Sequence, residues 1–194
     1  MKVMSQTRWN GMDTVKSNNP VTGDRIELHS FTADDAKTVT GWITSKEELI
    51  VWAGPVLDFP MRTEQIVEDF FKPDTRPYSV YERRSNRLIG HGQIAGIDKN
   101  NRSARLGRII IGDPASRGKG YGKELVKLLL KICFEDMRLH RVELSVFDFN
   151  ANAIRCYTSC GYTAEGTLRD YRRVGNHYWN LVMMSILEDE YAAQ

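Results

Sequence analysis

Between Ile109 and Gly122 the chain reads Ile-Ile-Ile-Gly-Asp-Pro-Ala-Ser-Arg-Gly-Lys-Gly-Tyr-Gly. A β-branched run stops at Gly112, Asp113 and Pro114, and a glycine-rich turn follows. An amphipathic helix is then expected from about Lys123 to Met137, with Leu125, Leu128, Leu129, Ile132 and Cys133 on its apolar stripe. A helix entered through such a turn leaves its first backbone N–H groups without intrahelical partners. The helix dipole adds partial positive charge at the same place, so a phosphate or pyrophosphate is attracted there. Gly118, Gly120 and Gly122 let the backbone approach that ligand closely. Two phosphate motifs are excluded. A nucleoside-triphosphate loop requires Ser or Thr after Gly-Lys, whereas Lys119 is followed by Gly120. A dinucleotide fingerprint requires its third glycine where Lys123 stands.

What remains is Arg-x-x-Gly-x-Gly, spelled by Arg117, Gly120 and Gly122. A second block lies downstream. Residues Arg141 to Val146 alternate as a strand, and then come Asn150, Ala153, Tyr157 and the pair Gly161-Tyr162. The two blocks in this order resemble the GCN5-related N-acetyltransferases (GNAT family), over roughly Arg25 to Tyr191. The stretch from Glu165 through Gly175 to Met184 resembles the branch holding ribosomal-protein N-terminal and polyamine acetyltransferases.

The resemblance implies an acyl-CoA N-acyltransferase fold: a mixed α/β domain whose mostly antiparallel central sheet is splayed at the cofactor site and flanked by helices. It implies acetyl-CoA as acetyl donor. The backbone of Ile109, Ile110 and Ile111 would pair with the pantetheine arm, and Arg117, Gly118, Lys119, Gly120, Tyr121 and Gly122 would surround the pyrophosphate. Asn150 takes the place of a cofactor-contacting amide, although a helix N-cap role competes for it, as does Asn152 for the cap. Tyr157 is the expected general acid. A phenol of pKa about 10 stays protonated at neutral pH and can protonate a leaving thiolate of pKa about 8.5. Relatives often carry a glutamate base on the strand before the cofactor turn; that place falls near Gly107, between Leu106 and Arg108. Glu143, or Asp113, is left to act through water, alongside proton loss to a water chain. Trp52 is the candidate for the acceptor pocket.

These residues need elements to hold them. The reading predicts strand 25–28, a helix after Thr32 carrying Val39 and Trp42, and a broken aromatic segment up to Pro60. A second helix runs from Thr63 to Phe71, followed by a hairpin of 78–81 with 88–94. Strand 105–111 enters the cofactor turn. Beyond the cofactor helix come strand 141–147, helix 151–159 and strands at about 161–168 and 177–187, the last opened by a Gly175-Asn176 turn. Residues 1–23 read as a partly mobile N-terminal extension and 24–194 as the domain.

Composition sets the outer limits. A chain of 194 residues suits one domain with a full core. A formal charge of +2, with no dense basic run, argues against nucleic acid. No apolar stretch has membrane-spanning length and no signal-peptide core is visible, so a cytoplasmic enzyme is expected. Cys133, Cys156 and Cys160 lack metal spacing; Cys156 and Cys160 are read as reduced thiols without an activating base. Direct transfer to a small-molecule or peptide amine is therefore expected, with no metal and no covalent acyl-enzyme. A coenzyme A-binding sensor without turnover is the alternative, favoured by the missing carboxylate at Gly107. His91 and His177 read as structural, and Arg169, Arg172 and Arg173 as a solvated basic patch open to an acidic acceptor or partner. An exposed last strand would allow a homodimer.

Overall fold

The structure is a computed structural model that describes residues 19–193. Most of the expected N-terminal extension, residues 1–18, lies outside these described residues. Its end does not: Val21–Thr22 form strand β1 and pair with β2 (Ile26–Ser30), so the sheet starts before residue 24.

One eight-stranded sheet organises the chain. After β2 come helices α1 (Ala33–Thr40), α2 (Lys46–Ala53) and α3 (Thr63–Phe70). Strands β3 (Arg76–Glu82), β4 (Arg87–Asp98) and β5 (Ser103–Ile111) follow. Helix α4 (Tyr121–Lys131) ends in a wider π turn over Ile132–Asp136 and leads to β6 (Arg141–Phe147). Helix α5 (Ala151–Thr158), β7 (Thr163–Val174), β8 (His177–Leu187) and a short α6 (Glu188–Ala192) complete the chain. The spatial order is β1-β2-β3-β4-β5-β6-β8-β7. Every neighbouring pair is antiparallel except β5 and β6. This is the mixed, mostly antiparallel sheet that the family resemblance implies.

Helix α4 supplies the main core. Leu125, Val126, Leu129 and Leu130 are buried against Ile26, Ile89, Ile94, Leu106, Val142 and Leu144 of the sheet. Each such side chain contributes on the order of 2 kcal/mol when removed from water. A second cluster, Phe31, Ala36, Val39, Ile66 and Phe70, packs α1 and α3 together. Helix α2 corrects the expectation of a broken segment between Trp42 and Pro60. It is capped by Ser45, whose hydroxyl accepts from Glu48 N at 3.1 Å, while the Glu48 carboxylate accepts from Thr44 N at 2.8 Å. That Ser-x-x-Glu signature was present in the sequence. Strand β7 also runs to Val174 rather than ending near residue 168.

Candidate active site

The site begins where two parallel strands part. β5 and β6 pair at Ser103 with Arg141, Ala104 with Val142, and Arg105 with Glu143, and at no later rung. Across the other edge of β5, Gln93 faces Gly107 and His91 faces Ile110, so Arg108 and Ile109 stand against the single residue Gly92. Arg108 takes a positive φ of 53° there. Such a bulge bends its strand. β6 meanwhile keeps its register with β8 as far as Phe147 and Leu181. The strand edges that face the gap, Leu106–Ile111 and Leu144–Phe147, border a cavity of about 1090 Å³. Helix α2 forms another wall of it, with Ile50 packed towards Phe147 and Leu181 and its neighbours Leu49 and Ala53 against Ile110.

At one end lies the glycine turn. Gly118 and Gly120 have φ of 74° and 84°, and Gly120 is the residue before the first turn of α4. Only glycine occupies that region without strain, and the first N–H groups of α4 are left for a ligand. Arg25, which the sequence reading did not single out, holds the turn. Its Nη1 donates to Lys119 O at 2.7 Å, its Nε donates to Glu124 Oε2 at 3.0 Å, and its guanidinium lies 4.9 Å from the Tyr121 ring centre. Glu124 Oε1 also accepts the backbone N–H of Arg25 at 2.7 Å and of Ile26 at 3.2 Å. Tyr121 points its phenol away, donating to Glu82 Oε1 at 2.5 Å, so its backbone alone is available to a ligand. Arg117 donates to Ile111 O at 3.1 Å and Gly112 O at 3.2 Å, yet still borders the cavity. Gly112 is covered by Trp42: a Cβ there would sit 1.8 Å from the ring. An unpaired strand edge continuous with a cradle of free amides fits a pyrophosphate carrying an amide-containing arm.

Tyr157 and Asn150 lie on the wall of the same cavity as Ile109, Ile110, Ile111, Arg117 and Trp52. Burial pushes the Tyr157 phenol well above its ordinary range, with the Cys156 and Cys160 thiols adding to the effect. Asn150 caps α5, its Oδ1 accepting from Ala153 N at 3.2 Å, which leaves Nδ2 to offer a ligand. Gly118, Lys119, Gly120, Tyr121 and Gly122 form the adjoining turn rather than the cavity wall. Cys156 is off the wall too. Its thiol is drawn down to about 7, chiefly by a hydrogen bond from Cys160, with Lys123 also contributing.

Glu143 is not placed for a base. It lines a separate depression of about 210 Å³, and its carboxylate accepts from Arg105 Nη2 at 2.7 Å and from Arg141 Nη2 at 3.5 Å. Asp113 is likewise engaged, by Arg87 Nη2 at 2.8 Å and the Ser116 hydroxyl at 2.5 Å. Over Gly107 stands Gln93: its Nε2 and Cγ are each 3.9 Å from where a Gly107 Cβ would be. Beyond it is a buried polar cluster that the sequence did not reveal. Arg108 pairs with Asp69 at 2.5 Å, donates to the Ala53 carbonyl, and lies 5.8 Å from the Trp52 ring centre. His91 is fully buried, stacked on Phe70 at 4.4 Å, and burial pushes it down to about 3, so it is neutral. Trp52 Nε1, both His91 nitrogens, Gln93 Oε1 and Arg108 Nε are buried without a hydrogen-bond partner among the described residues. Each such atom costs about 1–3 kcal/mol while it stays unsatisfied. His177 is exposed, whereas Arg172 of the basic patch reaches the cavity wall.

Known proteins resemble this chain. Residues 25–163 match the acetyltransferase (GNAT) domain family. An uncharacterized N-acetyltransferase, p20, of Bacillus licheniformis is 31% identical over 87% of this chain and 96% of its own length. A spermidine N(1)-acetyltransferase of Vibrio cholerae is 32% identical over 58% of this chain and 64% of that protein. The crystal structure of spermidine N-acetyltransferase from Vibrio cholerae, in complex with CoA and spermine, superposes with a TM-score of 0.75 at 23% identity, covering 88% of this chain and 99% of that one. With the splayed strands and glycine turn in place, the match over residues 25–163 settles the assignment: the chain belongs to the GNAT family of acetyl-CoA-dependent N-acetyltransferases.

Proposed function

We propose that the protein moves an acetyl group from acetyl-CoA directly to a primary amine, of a small molecule or a protein N-terminus, inside the cavity between β5 and β6. One observation carries this reading: Tyr157 shares that cavity with the strand end Ile109–Ile111, whose edge towards β6 is unpaired, and with Arg117 at the turn. When bound, acetyl-CoA supplies a thioester carbon open to attack and a thiol leaving group. The turn from Arg117 to Gly122 holds the pyrophosphate with backbone amides, aided by the dipole of α4. The free edge of Ile109–Ile111 pairs with the amides of the arm, and a backbone N–H there stabilises oxygen charge as it develops. Asn150 Nδ2 adds a donor on the other side of the gap.

Tyr157 gives its proton to the departing sulfur. Burial raises its pKa, so the phenol stays protonated through the whole working range, as a weaker acid than a free phenol. Glu143 and Asp113 are held in ion pairs outside the cavity, which favours loss of the amine's proton through water over transfer to either of them. Cys156 stands off the cavity wall, which supports direct transfer over an acyl-enzyme. The test is release of free thiol from acetyl-CoA with a panel of amines, using wild type and Tyr157→Phe. Amine-dependent release that the variant loses is the expected result. A stable acetyl-enzyme formed without any amine would contradict direct transfer. Binding of acetyl-CoA, seen as a rise in melting temperature, with no release for any amine would instead indicate a binding module.

A further inference from the structure

The turn between β5 and α4 offers backbone, and a backbone site works only if its N–H groups are aimed. From Gly118 to Lys123 no backbone N–H donates to a partner among the described residues. The glycines that let a ligand come close also make this the least constrained stretch of the cofactor site. Within Gly118–Gly122, the one side-chain hydrogen bond to backbone among the described residues comes from Arg25, whose Nη1 donates to Lys119 O. Arg25 stands 94 positions before Lys119 and is off the cavity wall.

That single bond sets a direction. The Lys119-Gly120 peptide is trans, so its C=O and its N–H point opposite ways. Arg25 draws the carbonyl to its own side and thereby turns the Gly120 N–H to the other. The guanidinium lies flat against this peptide: its Nη2 is 3.3 Å from where a Gly120 Cβ would be. Its far edge is fixed as well, by the Glu124 carboxylate on the first turn of α4, whose side chain is only 13% exposed. Glu124 in turn holds the backbone N–H groups of Arg25 and Ile26, which ties α4 to the start of β2. Gly23 leaves room for that carboxylate, since a Cβ there would lie 2.7 Å from Glu124 Oε1. The Arg25 backbone is held from the other side too, its carbonyl accepting from Arg83 N at 2.9 Å.

We infer that Arg25 is a positioning residue for acetyl-CoA: its fork, spanning Lys119 O and Glu124, holds the turn so that its amides meet the pyrophosphate. Arg25 thus sets cofactor affinity from outside the cavity. This role rests on the pyrophosphate lying at Arg117–Gly122, as proposed above. Lysine cannot replace the arginine, because a compact ammonium does not reproduce a planar fork that bonds two groups at once.

Arg25→Gln, Arg25→Lys and Gly23→Ala are compared with wild type, as full chains, by calorimetric titration of CoA and by thiol release from acetyl-CoA with the amine panel. Arg25→Gln is expected to raise Kd for CoA and KM for acetyl-CoA together by about tenfold, the size of one lost charge-assisted hydrogen bond, with kcat within about twofold of wild type. Arg25→Lys keeps the charge and is expected to bind CoA as weakly as Arg25→Gln. Gly23→Ala leaves Arg25 in place but displaces the Glu124 carboxylate, and is expected to weaken CoA by about threefold. A wild-type Kd in either Arg25 variant, or a fall in kcat with Kd unchanged, would overturn the inference. If Arg25→Gln does not fold, Gly23→Ala decides, and an unchanged Kd in it would overturn the inference. Gly118→Ala separates this role from the reading beneath it. Weaker CoA binding in Gly118→Ala alone would remove Arg25 from cofactor binding and leave the pyrophosphate at the turn. Unchanged binding in every variant would overturn both.

Discussion

The turn between β5 and α4 and the wall formed by α2, β4 and the β5 bulge border one active-site region, but they are made of different material. The turn is contiguous: fourteen residues supply strand end, glycines and helix start, and what they offer is mostly backbone. The wall is assembled from side chains of Trp52, Gln93, Arg108 and Arg172, which stand on four different elements. A backbone site tolerates little change, because its shape is the shape of the chain. A side-chain site can be rewritten at single positions while the sheet beneath it stays the same. What the turn offers is therefore set by the course of the chain, and what the wall offers is set by side chains that single substitutions can change.

On the proposed reading Tyr157 is the general acid between the two halves, and its loss should give the largest effect. Tyr157→Phe is expected to lower kcat by roughly 10²–10⁴-fold, the range for removing a general acid, with KM for acetyl-CoA little changed. A loss smaller than about tenfold would assign the proton to water and leave Tyr157 as packing against Tyr162, whose ring centre is 6.0 Å away.

The backbone half is tested by two glycines that differ in one respect. Gly112→Ala drives a methyl group to 1.8 Å from Trp42, so the indole must leave its place. Overpacking of this kind costs about 1–3 kcal/mol, and here it also shifts the strand end next to Arg117. Gly118→Ala meets nothing within 4 Å but must adopt a φ of 74°, which costs about 1–2 kcal/mol. Thermal melts should rank Gly112→Ala as the more destabilised. KM for acetyl-CoA should rise in both while KM for the amine holds. The wall is tested by the converse variant: Trp52→Ala should raise KM for the amine by about tenfold and spare acetyl-CoA. An unchanged amine KM for every accepted amine would remove Trp52 from the acceptor pocket.

The same contrast explains what could be read from the residues alone. The turn was legible because it is written in consecutive positions: Arg117, Gly120 and Gly122 stand together in sequence as in space. Most strands were legible from alternation. Helix α2 was not, since aromatic residues, Gly54 and Pro55 masked it, although Ser45 and Glu48 carried its cap signal. The far half of β7 was hidden because nearly all its residues are exposed and show no apolar period. Arg25 is separated from its partner Glu124 by 99 positions, and Arg108 from Asp69 by 39; no local pattern announces either contact. Glu143 looked available as a base because a sequence shows a carboxylate without the arginines that occupy it.

Those arginines lead to the smallest expected effect, at the junction of the two halves. Arg105, Glu143, Arg141 and Glu165 form a chain of ion pairs, with links of 2.7, 3.5 and 2.6 Å. The first three sit on the three rungs by which β5 and β6 pair, Arg105 and Glu143 on the last of them. The chain thus fastens the strands just before they part. Glu143→Gln should leave kcat within about twofold of wild type, as expected for a residue that only fastens the surface; a loss beyond about tenfold would restore it as a base. The arrangement also has a pH signature. The hydrogen bond from Arg141, aided by the Ser185 hydroxyl, holds the Glu165 carboxyl down at about 2, against an ordinary value of 4.5. A carboxyl lowered on folding contributes stability that is complete above pH 4.5 and lost as pH falls towards 2. Glu165 is 42% exposed, so the contribution is small. Chemical denaturation of wild type and Glu165→Gln should therefore show a slight gap at pH 7 that closes as pH falls from 4.5 towards 2. A gap that stays constant down that range would mean the strands are held at the junction by their backbone rungs alone.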